Sequence, residues 1–405
     1  MIKMKAKKAK SGIFKIIFSR TALVAALLLF QIGLMIATIT SIEKYAFSVY
    51  VSFIVLSMIV IIYIINRKEN PAFKMSWILF VTFIPIVGTV FYIFMQIQPG
   101  TRYIGKRLFE LGEKTKPYMF QNDKIIEDLR ISKPANANLA HYLSKQVGFP
   151  VHRNTKVTYF RVGEEKFEEL KRQLESAKHF IFMEYFIVEE GIMWDSILEI
   201  LKRKVDEGVE VRFMYDGMCS IVLLPYQYPK KLEEMGIRCK MFSPIKPVLS
   251  THQNNRDHRK ICVIDGQAAF TGGINLADEY INEKERFGHW KDTAVMLQGE
   301  AVQNFTMMFL QMWNVTEKEK ENFEKYLTPK SKEFRRELGY VLPYGDSPYD
   351  NENIGEQVYF HILNHAKKYV HIMTPYLILD NEMVTNLTYA AKCGIEVIII
   401  MPHIP

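Results

Sequence analysis

The sequence predicts an α/β protein with a mixed sheet, preceded by apolar membrane helices, and three observations predict it. Residues 21–42, 45–66 and 75–101 contain no Asp, Glu, Lys or Arg and are rich in Leu, Ile, Val and Phe. From about residue 141, short β-branched or aromatic runs at 180–183, 209–215 and 261–264 alternate with helical stretches such as 194–205, the pattern of strands and helices sharing one core. Finally, the run Ala177-Lys178-His179-Phe180-Ile181-Phe182-Met183, a helix and Gly208-Val209-Glu210-Val211 is echoed by Ala366-Lys367-Lys368-Tyr369-Val370-His371-Ile372-Met373, a helix and Gly394-Ile395-Glu396-Val397. This reads as a duplicated unit whose second copy is incomplete.

Each apolar run reaches the roughly 20 residues that a helix needs to cross the hydrocarbon core with its amides satisfied internally. The first run is longer than the h-region of a signal peptide and has no small-x-small cleavage site, so it reads as an uncleaved anchor. Lys and Arg cluster in the first 20 residues, at Arg67, Lys68 and Lys74, and at Arg102, Lys106 and Arg107, against Lys44 alone between the first two runs. The positive-inside rule places all three clusters on the cytoplasmic side. Three full crossings do not allow that, and the third run, broken by Pro85 and Gly88, reads as re-entrant or interfacial. The expectation is a multi-pass protein of the cell membrane, with two or three transmembrane helices in residues 1–100 and its catalytic domain on the cytoplasmic face. Residues 101–140, with a Pro/Asn-rich stretch at 133–138, read as a linker; 141–342 form a first α/β domain and 343–405 the start of a second.

The 405 residues carry 52 Lys and Arg against 44 Asp and Glu, a formal charge of +8. Seven of those bases lie in the first 20 residues without an acid, which leaves +1 for residues 21–405. A near-neutral body disfavours a nucleic-acid partner. Cys219, Cys239, Cys262 and Cys393 are widely separated and read as free thiols rather than as a disulfide or zinc framework. His361 and His365 have the spacing of a helical zinc pair but no third ligand, so no metal site is predicted. Asp216-Gly217, closing the 209–215 strand, reads either as a site-lining residue or as a turn.

The chemistry concentrates in His258-Arg259-Lys260-Ile261-Cys262-Val263-Ile264-Asp265 and the following Gly272-Gly273-Ile274-Asn275. In an extended strand His258 and Lys260 project from one face and Arg259 from the other. An imidazole beside an ammonium suits phosphoryl transfer: the first attacks phosphorus, and the second stabilises the non-bridging oxygens. Asp265 precedes Gly266, a hairpin-turn pair, and its local reading is structural. Gly272 and Gly273 allow close backbone approach to a phosphate, and the Asn275 amide can donate to another of its oxygens. Asp292, beside Trp290, is placed to accept a hydrogen bond from His258 and orient it.

These motifs resemble those of the phospholipase D superfamily, H-x-K-x4-D followed by G-[SG]-x-N, and within it the bacterial cardiolipin synthases. The resemblance extends to Trp77, Pro85-Ile86-Val87-Gly88, Glu184-Tyr185-Phe186, Arg256-Asp257, Trp290-Lys291-Asp292-Thr293 and Thr374-Pro375-Tyr376. It implies a duplicated phospholipase-D-like α/β/α sandwich. His258, Lys260 and Asp265 would form the catalytic motif, with Gly273, Asn275, Asp292 and Glu184 binding phosphate or orienting the site. Gly273 stands where many superfamily members have Ser.

The implied reaction transfers a phosphatidyl group from one phosphatidylglycerol to another through a phosphohistidine, giving cardiolipin and glycerol, with phosphatidylglycerol and other anionic phospholipids as partners and neither cofactor nor metal. The general acid would be the histidine of a second motif, expected about 50 residues after Gly394 and so beyond residue 405. The expectation is therefore a truncated chain, inactive alone, whose second motif comes from a missing C-terminal part or another chain. A membrane-anchored phosphodiesterase or nuclease, and a catalytically silent lipid-binding half-site, are the alternatives.

Overall fold

The computed structural model describes residues 20–40, 43–97, 99–219, 223–243, 255–329, 334, 337–350 and 352–403. The basic run from Lys3 to Lys15 lies outside the described residues. The chain divides into two units, one ending at Arg102 and one beginning at Tyr103.

In the first unit, helices Arg20–Thr40 and Glu43–Asn66 follow the first two apolar runs. Among the described residues one segment, Phe47–Asn66, is long and apolar enough to cross a membrane; the described stretch Ala26–Ile36 is shorter. Side chains such as Val55, Ile59, Ile62 and Ile65 are exposed, as a lipid-facing surface requires. The third run is not one helix. It breaks at Ile84 into Pro71–Phe83 and Pro85–Gln96, because Pro85 lacks the N–H that would continue the ladder. The two short helices pack as a hairpin: a Cβ on Gly88 would lie 2.7 Å from the Phe80 carbonyl oxygen, and Trp77 meets Tyr92 edge-on at 5.2 Å. Among the described residues, Phe47–Asn66 has the length of a crossing, while the third run forms two helices each shorter than a bilayer requires.

The second unit carries a seven-stranded mixed sheet in the order β1-β7-β6-β5-β2-β3-β4. Its strands are β1 (Thr155–Phe160), β2 (Phe180–Tyr185), β3 (Glu210–Asp216), β4 (Arg238–Phe242), β5 (Ile261–Ile264), β6 (Ala268–Gly272) and β7 (Ala294–Gly299). β2, β3 and β4 are parallel, while β5 runs antiparallel to β2. β2 is buried along its whole length, and its alternation feeds two cores. Ile181, Met183 and Tyr185 join Trp194, Ile197 and Leu201 of helix Ile192–Asp206. Phe180 and Phe182 join Phe309 and Trp313 of helix Val302–Asn314, in which every residue but Gln311 is buried. Each such apolar side chain contributes about 1.5–3 kcal/mol on burial, so the sheet is held between two helical layers.

The stretch expected as a linker is helical. Pro134, suited to the first position of a helix, starts Pro134–His141, which follows Asp123–Ser132. Ile125, Ile126, Leu129, Ala137 and Ala140 bury one face of the pair against Val151, an amphipathic pattern that the Pro/Asn composition masked. The echoed segment forms β8 (Tyr369–Met373) and β9 (Glu396–Ile400), paired in parallel across helix Asn381–Lys392 as β2 and β3 are paired across Ile192–Asp206. Gly208 and Gly394 end the two helices with φ of 87° and 86°, the left-handed conformation of a helix C-terminus.

Candidate active site

The site is built where β3 ends and the chain enters β5. Asp216, the fully buried last residue of β3, accepts hydrogen bonds from Met218 N at 2.8 Å, Asp257 N at 2.9 Å and Arg256 Nη1 at 3.3 Å. Asp257 Oδ1 in turn accepts from Arg259 N at 3.2 Å. These bonds hold the backbone on both sides of His258.

From that backbone, which leads into β5 at Ile261, the side chains take two directions. The His258 ring lies 4.8 Å from the Phe186 ring, and Lys260 Nζ lies 5.4 Å from the same ring while donating to the His258 carbonyl at 2.7 Å. Arg259 turns to the other face, where its Nη1 is 3.9 Å from Glu184 Oε1. A cavity of about 360 Å3 opens beside this segment, lined among others by Arg256, Arg259, Phe305, Met308 and Tyr349.

Electrostatics set the protonation states. Partial burial, and then the charge of Lys260, hold His258 below its ordinary value, leaving a neutral imidazole with a free lone pair at neutral pH. Burial lowers Lys260 to about 8, against the opposing charges of Asp257 and Asp292, so it remains largely an ammonium. Burial raises Asp292, countered by the Thr293 N–H, Lys260, Trp290 and Lys166.

The remaining predicted residues take distinct places. A Cβ on Gly272 would meet the Thr293 carbonyl oxygen at 2.4 Å, and one on Gly273 would meet Asp292 Oδ1 at 2.1 Å; β7 and the Asp292 carboxylate fill the space beside the two glycines. The buried Asn275 accepts from Ile187 N at 2.9 Å and donates to the Tyr280 hydroxyl at 2.8 Å. Asp292 accepts from Thr293 N at 2.7 Å; among the described residues it makes no hydrogen bond to His258. Asp265 lies at the turn between β5 and β6, where it and Gly266 have φ of 52° and 62°. Its carboxylate receives the backbone N–H groups of Lys178, His179 and Phe180 at 2.7, 2.8 and 2.7 Å, tying the turn to the start of β2 and away from His258.

Comparison with known proteins matches residues 170–313 to the family described as cardiolipin synthase, PLD-like domain, and residues 55–95 to that described as Phospholipase_D-nuclease N-terminal. A cardiolipin synthase of Halalkalibacterium halodurans is 32% identical over 365 residues, covering 89% of this chain and 71% of that protein. The chain belongs to the cardiolipin synthase family of the phospholipase D superfamily. A cardiolipin synthase of a Geobacillus strain is 33% identical over 88% of this chain and 71% of its own length. An uncharacterized protein of Streptococcus mutans is 53% identical over 85% of this chain and 74% of its own. A solved phosphatidylserine synthase of Haemophilus influenzae aligns with a TM-score of 0.45 and 14% identity, over 66% of this chain and 65% of that one.

Within this cardiolipin synthase family member, one buried group close to the motif residues escaped sequence reasoning. Lys166, 1% exposed, donates to the Tyr185 hydroxyl at 3.2 Å and to the Ile274 carbonyl, inside Gly272-Gly273-Ile274-Asn275, at 3.4 Å. Burial lowers it to about 8, while Asp292 raises it and Lys260 lowers it further. The available signal was a lysine next to Phe167 and four residues before Leu170, on the buried stripe of helix Gly163–Glu175.

Proposed function

We propose that the protein makes cardiolipin by phosphatidyl transfer between two phosphatidylglycerol molecules, with His258 as nucleophile. The observation that carries this is a neutral imidazole and an ammonium side by side on the segment that leads into β5, both against Phe186. The His258 ring nitrogen attacks phosphorus, the bond from phosphorus to the glycerol oxygen breaks, and a general acid protonates the departing glycerol. The terminal hydroxyl of a second phosphatidylglycerol then attacks the phosphohistidine. It gives its proton to the same group, now a base, and the bond from phosphorus to nitrogen breaks. Lys260 supplies the charge that meets the non-bridging oxygens.

The 405 residues contain one H-x-K-x4-D, and in this reading the acid is the histidine of a second motif, from further polypeptide or another chain. The protein works at the cell membrane, with Phe47–Asn66 as a crossing helix and the α/β unit on the cytoplasmic face.

The test is to incubate membranes carrying the protein, or its His258→Ala variant, with phosphatidylglycerol in EDTA and to assay cardiolipin and glycerol. Cardiolipin from the unmodified protein alone supports the reading, and equal activity in the variant overturns the role of His258. Phosphatidic acid in place of cardiolipin would make the protein a lipid phosphodiesterase, and absence of either product would favour a silent lipid-binding site.

A further inference from the structure

Glu184 has no exposure and sits at the C-terminal end of β2, between Met214 of β3 and Ile261 of β5. Among the described residues, neither of its carboxyl oxygens receives an N–H or hydroxyl donor, and neither does Asp257 Oδ2. The two carboxyls are instead within hydrogen-bond reach of each other. Contact between two carboxyls requires a proton on one of them, because a carboxylate is an acceptor only.

The surrounding charges decide which one. The buried cluster holds three carboxyls (Glu184, Asp216 and Asp257) and two guanidiniums (Arg256 and Arg259). Asp216 accepts two backbone N–H groups and the Arg256 guanidinium, which oppose the burial that raises it, and Asp257 accepts the Arg259 N–H. Among the described residues, Glu184 has only the Arg259 guanidinium at 3.9 Å, beyond hydrogen-bond distance. Asp257, Arg259 and Lys260 face this cluster from the strand entering β5, with Asp216 from β3, Arg256 beside it, and Tyr349 from residues 337–350. Helix Val302–Asn314, which covers this face, contains no ionisable side chain. Burial, together with the charge of Asp257, pushes this acid well above the carboxylate range.

We propose that Glu184 is a positioning residue that stays protonated at neutral pH and donates its hydroxyl to the Asp257 carboxylate, fixing the backbone that carries His258. Such a bond to a charged acceptor is short and strong, and it brings no further negative charge near Lys260. Its catalytic consequence rests on His258 being the nucleophile; the protonation state does not.

Infrared spectroscopy of the full chain in detergent micelles reads the proton directly. The protein at pH 7 is expected to show the carbonyl band of a protonated carboxyl, lost in Glu184→Gln and retained in Asp292→Asn. Glu184→Leu, which removes the donor, is expected to lower kcat about 10- to 100-fold with KM little changed, and Glu184→Gln, whose amide N–H replaces the hydroxyl, to recover most of that loss. Identical spectra of the unmodified protein and Glu184→Gln would mean an ionised Glu184 paired with Arg259 and would overturn the proposal. Should Glu184→Leu not fold, the spectrum of Glu184→Gln still decides. A band that disappears in Glu184→Gln, in a protein that transfers no phosphatidyl group, would keep the acid pair and reject the reaction.

Discussion

Gly273 and Asp292 compete for one space: a Cβ on Gly273 would lie 2.1 Å from Asp292 Oδ1 and 2.6 Å from Oδ2. The carboxylate of Asp292 therefore takes up room that a side chain at 273 would need. Its charge is felt by Lys260 and Lys166 alike, so moving it changes the field around the proposed phosphate site.

Gly273→Ala should accordingly displace Asp292 and lower kcat/KM about tenfold. Asp292→Ala should cost a similar amount, and the double variant little more than either single one, because one displaced carboxylate accounts for both effects. Full additivity in a double-mutant cycle on kcat/KM would show that the two residues act separately.

The pH dependence of kcat/KM should be bell-shaped. His258 must be neutral to attack, and its value lies below 6.5, so activity rises with pH through an acid limb below that value. Lys260 must be charged and titrates at about 8, so activity falls as pH rises through that region. Lys260→Arg, which keeps its charge throughout, should remove the alkaline limb even while lowering the plateau. A limb that persists near 8 in that variant would assign it to another group.

Lys166→Met should separate stability from activity. The folded protein holds the Lys166 proton less tightly than the unfolded chain, with a value of about 8 against roughly 10.4 for an exposed lysine. Its buried charge therefore costs stability at neutral pH, and the cost fades as pH rises through that window. Methionine removes the charge at similar volume, so Tm at pH 7 should hold or rise. Activity should fall about tenfold, because the Ile274 carbonyl and the Tyr185 hydroxyl lose their common donor and Asp292 loses a neighbouring cation. Thermal unfolding and steady-state kinetics on one preparation check both.

Asp265→Ala should act mainly on stability. It leaves three backbone N–H groups at the start of β2 without their acceptor, a loss of roughly 3 kcal/mol or more. Denaturant unfolding should show the loss, and specific activity per folded molecule should fall far less than in Lys260→Ala.

Much of this architecture was legible in advance. The run 261–264 is β5, the run 209–215 falls largely within β3, and Asp265-Gly266 forms the turn expected of it, because strand alternation and turn residues act over a few neighbours. The helices within 101–140 were missed because prolines and asparagines that suggest a linker also start and cap helices: Asn122 accepts the Lys124 N–H, and Pro134 opens its helix. The third apolar run has the length of a crossing, but Pro85 and Gly88 already marked a break in it, and the packing across Gly88 shows the hairpin that the break allows.

By itself the sequence determined that His258 and Lys260 share a face and Arg259 does not, since that follows from the two-residue period of an extended chain. Which partners meet those side chains was decided by tertiary structure alone. Phe186 reaches His258, Glu184 reaches Asp257, and Lys166 lies beneath Ile274 because β2, β5 and helix Gly163–Glu175 assemble side by side. The protonation states follow from that assembly, because the cost of burying a charge depends on every segment that excludes water from it, and that information is not local to any stretch of chain.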